Sequence, residues 1–306
     1  MTHDHDHHHH HSSPAAIGHA FAWGTLLNLT FVVVEATYGV LAHSMALLAD
    51  AGHNLGDVLG LALAWGAATL ARRKPTSRRT YGLRRTTILA SLSNALLLLF
   101  VIGGVAWESL RRLSSPEPVA GLTVLVIALM GVAVNGGSAL LFFAGRKSDM
   151  NVRGAFFHLA ADAAMSLGVV VAGALMLLKK DWTWLDPTLG LLLSLVILAS
   201  VWSLLRDSMN LALDAVPEGI DPDAVRSYLA GLPGVCEVHD LHIWAMSTTE
   251  TALTAHLIMP GDSCHPKFLH DVGEELHEHF HIEHATLQVE SPGAPSPCRL
   301  APDERV

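Results

Sequence analysis

The chain is 306 residues long, 51% hydrophobic and only 15% charged, with a formal net charge of −9 at pH 7. A soluble domain carries about 25% charged residues, so the shortfall leaves room for long uncharged runs that can cross a bilayer. The charge is also uneven: residues 217–306 hold four basic side chains against fifteen acidic ones, a net of −11, while residues 1–216 hold fifteen against thirteen, a net of +2. An acidic C-terminal region argues against nucleic acid or anionic lipid as its partner and suits a cation.

Residues 1–16 are polar and low in complexity and read as a His-rich disordered tail. Eight of the twenty histidines fall within residues 1–19. The His3–His11 run is open to two readings, a purification tag or a native metal-collecting tail; interleaved Asp4 and Asp6 favour the second. Six apolar segments follow at 17–42, 44–71, 87–110, 119–145, 155–178 and 187–206. Each is long enough to span a bilayer as a helix, which takes about 20 apolar residues. They define a six-helix transmembrane domain over 17–208. The first segment lacks a basic n-region and is too long to be a signal-peptide core.

Lysine and arginine in the short loops set the orientation. The loops after segments two and four hold Arg72, Arg73, Lys74, Arg78, Arg79, Arg84, Arg85, Arg146, Lys147 and Arg153, against Arg111, Arg112, Lys179 and Lys180 on the other side. Ten against four places both termini in the cytoplasm, with the inner membrane of a cell as the expected location.

Past Pro217 the pattern changes. Residues 222–231 read as a helix, 235–247 and 251–259 as strands, 265–280 as an amphipathic helix and 285–290 as a third strand. This αββαβ order predicts a ferredoxin-like α+β domain over 209–293. Residues 294–306 are expected to be a disordered tail. Cys236, Cys264 and Cys298 form no C-x-x-C and imply no disulfide framework, which fits a reducing compartment.

Segment two contains His53-Asn-Leu-Gly-Asp57 and segment five contains His158-Leu-Ala-Ala-Asp162. In both, a histidine and an aspartate share one helix face, about 5–6 Å apart at Cβ. Two such helices face to face offer two imidazoles and two carboxylates around one point, a closed tetrahedral shell that suits Zn²⁺. A hard cation would favour oxygen alone, and a soft site would use cysteine. A carboxylate at the bilayer centre costs about 2.5–3.5 kcal/mol, so two of them, each one turn from a histidine, are poorly explained by helix packing. Asn28, Glu35, Asn94 and Asn135 read more simply as interhelical hydrogen-bonding groups. Asp50 is open between a supporting or proton-route position and the outer interface.

The spaced residues together resemble the cation diffusion facilitator family of metal transporters. The resemblance rests on Asn28, Glu35, Gly39, the stretch Ser44 to Asp57, Tyr81, Gly82, Arg85, Ser93-Asn94-Ala95, Trp107-Glu108, His158, Asp162, Ser166 and Asp186-Pro187. In the tail it rests on His239-Asp-Leu-His242-Ile-Trp and His284 to Glu290. It implies six transmembrane helices, a homodimer, and metal efflux from the cytoplasm driven by inward proton flow. It implies no enzymatic activity. His53, Asp57, His158 and Asp162 match the family's transport site in its zinc-type form; manganese-type members replace the first histidine with aspartate. His239, His256 and Glu290 fall where the cytoplasmic domain of the family binds further Zn²⁺, and Gln288 stands where some members have histidine.

Two other functions compete on the residues alone. A metal hydrolase would need an open coordination position and a general base; a shell of four protein ligands leaves no such position. A membrane-tethered metal sensor would not need two H-x-x-x-D pairs inside the bilayer.

Overall fold

The computed structural model describes residues 14–143, 146, 150–179, 181–260 and 266–292. Residues 1–13 of the His-rich tail and all of 294–306 lie outside the described residues. Six long helices come first: α1 (Pro14–Leu41), α2 (Met45–Ala71), α3 (Thr86–Ser114), α4 (Gly121–Phe142), α5 (Met150–Leu178) and α6 (Leu185–Ala212). The last three residues expected in the N-terminal tail therefore open α1, and α6 continues four residues past the expected end of the membrane domain.

Five of the six, from α2 to α6, are long and apolar enough to cross a membrane, and the described apolar part of α1, Asn28–Leu41, is shorter. Even the 22 residues of α4 rise about 33 Å, more than a hydrocarbon core of about 30 Å. Many large apolar side chains point outward, among them Trp65, Phe100, Leu140, Leu141 and Val196. In water this surface would be an aggregation liability; against lipid it is the expected exterior.

The chain divides into two compact units. One holds the chain up to Leu59 together with Leu97–Val201; the other holds Gly60–Leu96 together with Trp202 onward. The core of the first is made of small and medium side chains: Ala42, Ala46, Leu47, Ala49, Val124, Ile127, Ala128, Val169, Met176 and Leu193. Small residues matter because lipid supplies no hydrophobic drive between helices, so close packing must do the work. At Gly173 an added Cβ would lie 2.9 Å from the Leu125 backbone nitrogen, and at Gly190 it would lie 2.7 Å from Met45 Cβ. The second approach brings α6 onto the start of α2, where the buried Asp186 acts as a cap. Its carboxylate accepts from the Ser44 hydroxyl at 2.5 Å, Met45 N at 2.6 Å and Ala46 N at 3.4 Å. Ser44 in turn accepts from Leu47 N at 3.2 Å. Orphan amides and the positive end of the helix dipole are satisfied together, which fixes the first turn of the helix that carries His53.

The second unit carries the C-terminal domain: α7 (Pro222–Ala230), β1 (Glu237–Ala245), β2 (Thr251–Ile258), α8 (Pro266–Phe280) and β3 (His284–Glu290), the αββαβ order read from the sequence. Asp221 caps α7 and Pro222 opens it, a pairing whose fixed φ and missing N–H suit a helix start. The sheet order is β1-β2-β3, with β1–β2 antiparallel and β2–β3 parallel. In β2, Leu253, Ala255 and Leu257 are fully buried against Val225 and Leu229 of α7 and Val272 and Leu276 of α8. The strand period of two then turns Thr254, His256 and Ile258 to the other face.

Candidate metal centres

The first unit brings His53, Asp57, His158 and Asp162 together. The contacts run crosswise. His53 Nε2 lies 3.3 Å from Asp162 Oδ1, and His158 Nε2 lies 3.2 Å from Asp57 Oδ2. The pairs within each helix are longer, 3.9 Å for His53–Asp57 and 3.7 Å for His158–Asp162. Pairing 53 with 162 and 57 with 158 means that α2 and α5 run antiparallel at this point, so two copies of one motif meet head to tail. The imidazoles sit edge to face with centroids 6.1 Å apart. For ligands about 2.0–2.1 Å from a tetrahedral zinc, neighbouring ligand atoms are about 3.3 Å apart. The two crosswise separations lie close to that value, and ligand atoms of His53, Asp57 and Asp162 all fall within 4.8 Å of one another, with His158 meeting the group through Asp57. Asp162 is buried, while half of the His158 side chain and a third of that of Asp57 are exposed.

Glycines shape the neighbouring surface of α2. A Cβ at Gly56 would fall 2.1 Å from Leu98 Cδ2, and one at Gly52 would fall 2.8 Å from Ile102 Cδ1. With no side chain at 52 and 56, α3 packs directly on that side of the helix.

A second cluster lies on the sheet. His239 of β1 pairs with His256 of β2, which pairs with Gln288 of β3; Glu290 lies two residues on, on the same face. His256 Nδ1 is 2.9 Å from Glu290 Oε1, His239 Nε2 is 3.7 Å from Glu290 Oε2, and the two imidazole centroids are 5.2 Å apart. His239 is only 2% exposed, and neither ring nitrogen has a hydrogen-bond partner. An orphaned buried imidazole is unusual, and a metal ion is the ligand that this donor set fits.

Asp240 also belongs to this cluster and was not singled out from the sequence. Its Oδ2 lies 3.4 Å from His256 Nε2 and its Oδ1 lies 2.9 Å from His242 Nε2. Strict alternation would put Asp240 on the face opposite His239. Instead the register shifts between His239 and His242, and Asp240 takes φ +50°, a bulge that re-aims its carboxylate. In the sequence the one signal is an aspartate directly following a histidine. Gln288 donates to Glu290 Oε1 at 3.0 Å, so it orients that carboxylate. His279 pairs with Glu275 on α8 at 2.9 Å, separate from the cluster, and Cys264 lies outside the described residues.

Comparison with known proteins gives the family. Residues 22–211 match the cation efflux transmembrane domain, and residues 217–292 match the cytoplasmic domain of cation efflux proteins. The metal cation efflux system protein CzcD of Cupriavidus metallidurans is 34% identical over 302 residues, covering 98% of this chain and 91% of that protein. The zinc transporter ZitB of Escherichia coli is 35% identical over 291 residues, covering 94% and 92%. A cadmium, cobalt and zinc/H(+)-K(+) antiporter of Bacillus subtilis is 33% identical over 266 residues, covering 85% of each chain. Both halves of the fold and nearly the whole length are matched at once, and the chain is an integral multi-pass membrane protein of the cation efflux family.

Proposed function

We propose that the chain exports Zn²⁺ from the cytoplasm in exchange for protons, with His53, Asp57, His158 and Asp162 as the ligands of the transported ion. The observation that carries the reading is the crosswise approach of the two His–Asp pairs, whose shortest separations are 3.2 and 3.3 Å. A donor set of two nitrogens and two anionic oxygens suits zinc better than a hard cation. The zinc transporter and the zinc/H(+)-K(+) antiporter among the relatives support zinc as the substrate and exchange that involves protons. With both carboxylates ionised and both imidazoles neutral the ligand set carries −2, and one Zn²⁺ neutralises it. Ligands must lose their protons to bind the metal, so zinc binding expels protons and protonation expels zinc.

The domain division that goes with this reading is a membrane domain over 17–208 and a cytoplasmic metal-binding domain over 209–293, flanked by tails at 1–16 and 294–306. Both termini face the cytoplasm in the inner membrane, and the molecule works as a homodimer. His239, His256 and Glu290, joined by Asp240, would hold zinc in the cytoplasmic domain, where the ion would cross-link all three strands of the sheet.

The test is flux into metal-free proteoliposomes. Zinc entry into vesicles that are acidic inside should exceed entry at matched pH, and a pH dye should report protons moving the other way. Zinc flux indifferent to the proton gradient, with no counter-movement of protons, would make the chain a uniporter.

A further inference from the structure

Glu35 of α1 and Asp50 of α2 are 0% and 1% exposed, and neither is a ligand in the group described above. Asn54, one turn from Asp50 on the same face of α2, bonds Glu35, which brings the two carboxyls together within the helical unit. One oxygen of each is committed. Glu35 Oε2 accepts from Asn54 Nδ2 at 3.3 Å, and Asp50 Oδ2 accepts from Ser166 Oγ at 2.8 Å. The other oxygen of each, Glu35 Oε1 and Asp50 Oδ1, is buried with no hydrogen-bond partner, as is Asn54 Oδ1.

Two facing carboxylates in a low-dielectric site do not both ionise, and buried acceptors without donors are rare. One proton removes the first defect and pairs both free carboxyl oxygens. Placed on either carboxyl it converts an acceptor into a donor, and the resulting O–H···O⁻ bond uses both free oxygens. The single remaining negative charge is then held by the Asn54 amide and the Ser166 hydroxyl.

We propose that Glu35 and Asp50 hold one exchangeable proton between them and form the proton-carrying station of the exchange, separate from the metal ligands. The proposal rests on the antiport reading above. The station lies between the zinc ligands and the α1–α2 turn: Glu35 is six residues from the end of α1 and Asp50 five residues from the start of α2, with His53 about one helical turn deeper and Asp57 about two. In the proposed topology that turn faces the side from which protons enter. Glu35 meets the station from α1. From α2 come Asp50 and Asn54, with His53 one turn on; from α5 comes Ser166, with Asp162 one turn back. A dication bound by His53 and Asp162 therefore sits about one turn from the pair and favours its ionised form. The step is balanced: the carboxylic acid–carboxylate pair becomes two carboxylates, and the proton leaves to water.

Infrared difference spectroscopy of the full-length protein in nanodiscs tests this. Metal-free protein at neutral pH should show a protonated-carboxyl C=O band that shifts in D₂O, and zinc should bleach it. E35Q and D50N should each lose the band and release one fewer proton per zinc, with zinc affinity changed less than about tenfold. S166A keeps both carboxyls, so it should keep the band at a shifted C=O frequency, because the hydroxyl that donates to Asp50 is gone. It also serves should the other two variants fail to fold. A band that persists in both E35Q and D50N, or a wild-type protein with no zinc-sensitive band, overturns the proposal. So does loss of one bound zinc per chain in E35Q with proton release unchanged, which would make the pair a metal station. If zinc bleaches the band while flux in liposomes ignores the pH gradient, the antiport reading fails and the proton station stands.

Discussion

Asp162→Asn is the sharpest perturbation of the transport site. Asp162 is 3% exposed and touches both imidazoles, His53 at 3.3 Å and His158 at 3.7 Å. Asparagine keeps the shape and removes one negative charge from the ligand set. At an effective dielectric of ~20, two unit charges about 4 Å apart interact by about 4 kcal/mol, and zinc is divalent and closer than that. The loss in zinc affinity should therefore be at least about a thousandfold, since about 1.4 kcal/mol is tenfold. The measurement is calorimetric zinc titration of the full chain in nanodiscs, in a background carrying H239A and H256A so that sheet-bound metal does not contribute. Transport in proteoliposomes should be abolished, while insertion is unchanged. A D162N chain that binds zinc within tenfold of native affinity in that background would show that the crosswise carboxylate is not a ligand.

His53→Asp leaves one nitrogen in a shell of oxygens and should widen selectivity toward Mn²⁺; competition assays with unchanged zinc preference would remove His53 from the ligand set. H239A together with H256A should cost the full-length protein one bound zinc while leaving the membrane site loaded, as counted by equilibrium dialysis. Asp240→Ala alone should weaken that sheet-bound zinc by about 10–100-fold whether its carboxylate binds directly or orients His256; unchanged affinity would exclude both roles. Asp186→Ala removes a buried acceptor from one hydroxyl and two amides at the start of α2, and should cost about 2 kcal/mol. A thermal-melting midpoint equal to wild type would show that the cap is dispensable.

The sequence carried the helical unit well because lipid imposes a simple rule: long uncharged runs become helices with all backbone groups satisfied internally. The H-x-x-x-D pairs were legible for the same reason, since helical period fixes which side chains share a face. That the pairs close on each other crosswise was not legible, because it depends on which faces of α2 and α5 meet, and the alternation of spans fixes only their opposite directions. The αββαβ order came from runs of β-branched and apolar residues and from helical period. Asp240 was missed because alternation assigns it to the wrong face, and only the bulge between His239 and His242 reverses that. Glu35 is a lone acid in an apolar run and Asn54 sits among the polar residues from Asp50 to Asp57, and no local pattern tells helix-packing amides and acids from a facing pair. Asp186 sits at a helix start in sequence, yet the helix it caps is α2, 141 positions away from its closest amide partner.

The charge balance of the helical unit ties these sites together. Among the described residues, its fully buried charged side chains are all acidic: Glu35, Asp50, Asp162 and Asp186. Asp186 is answered by a hydroxyl and the amides at the positive end of α2, so it needs no counter-ion. The other three, with Asp57 beside them, are not answered by any lysine or arginine among the ion pairs of the described residues. A buried carboxylate left unpaired is expensive, and a fixed arginine would have satisfied these groups permanently. Histidine and a second carboxyl satisfy them only when a proton or a metal is present. The bundle is therefore built to be incomplete without mobile cations, and removing one kind makes room for the other. That property belongs to a carrier; a tethered sensor or a structural bundle would gain stability from the arginine that is missing here.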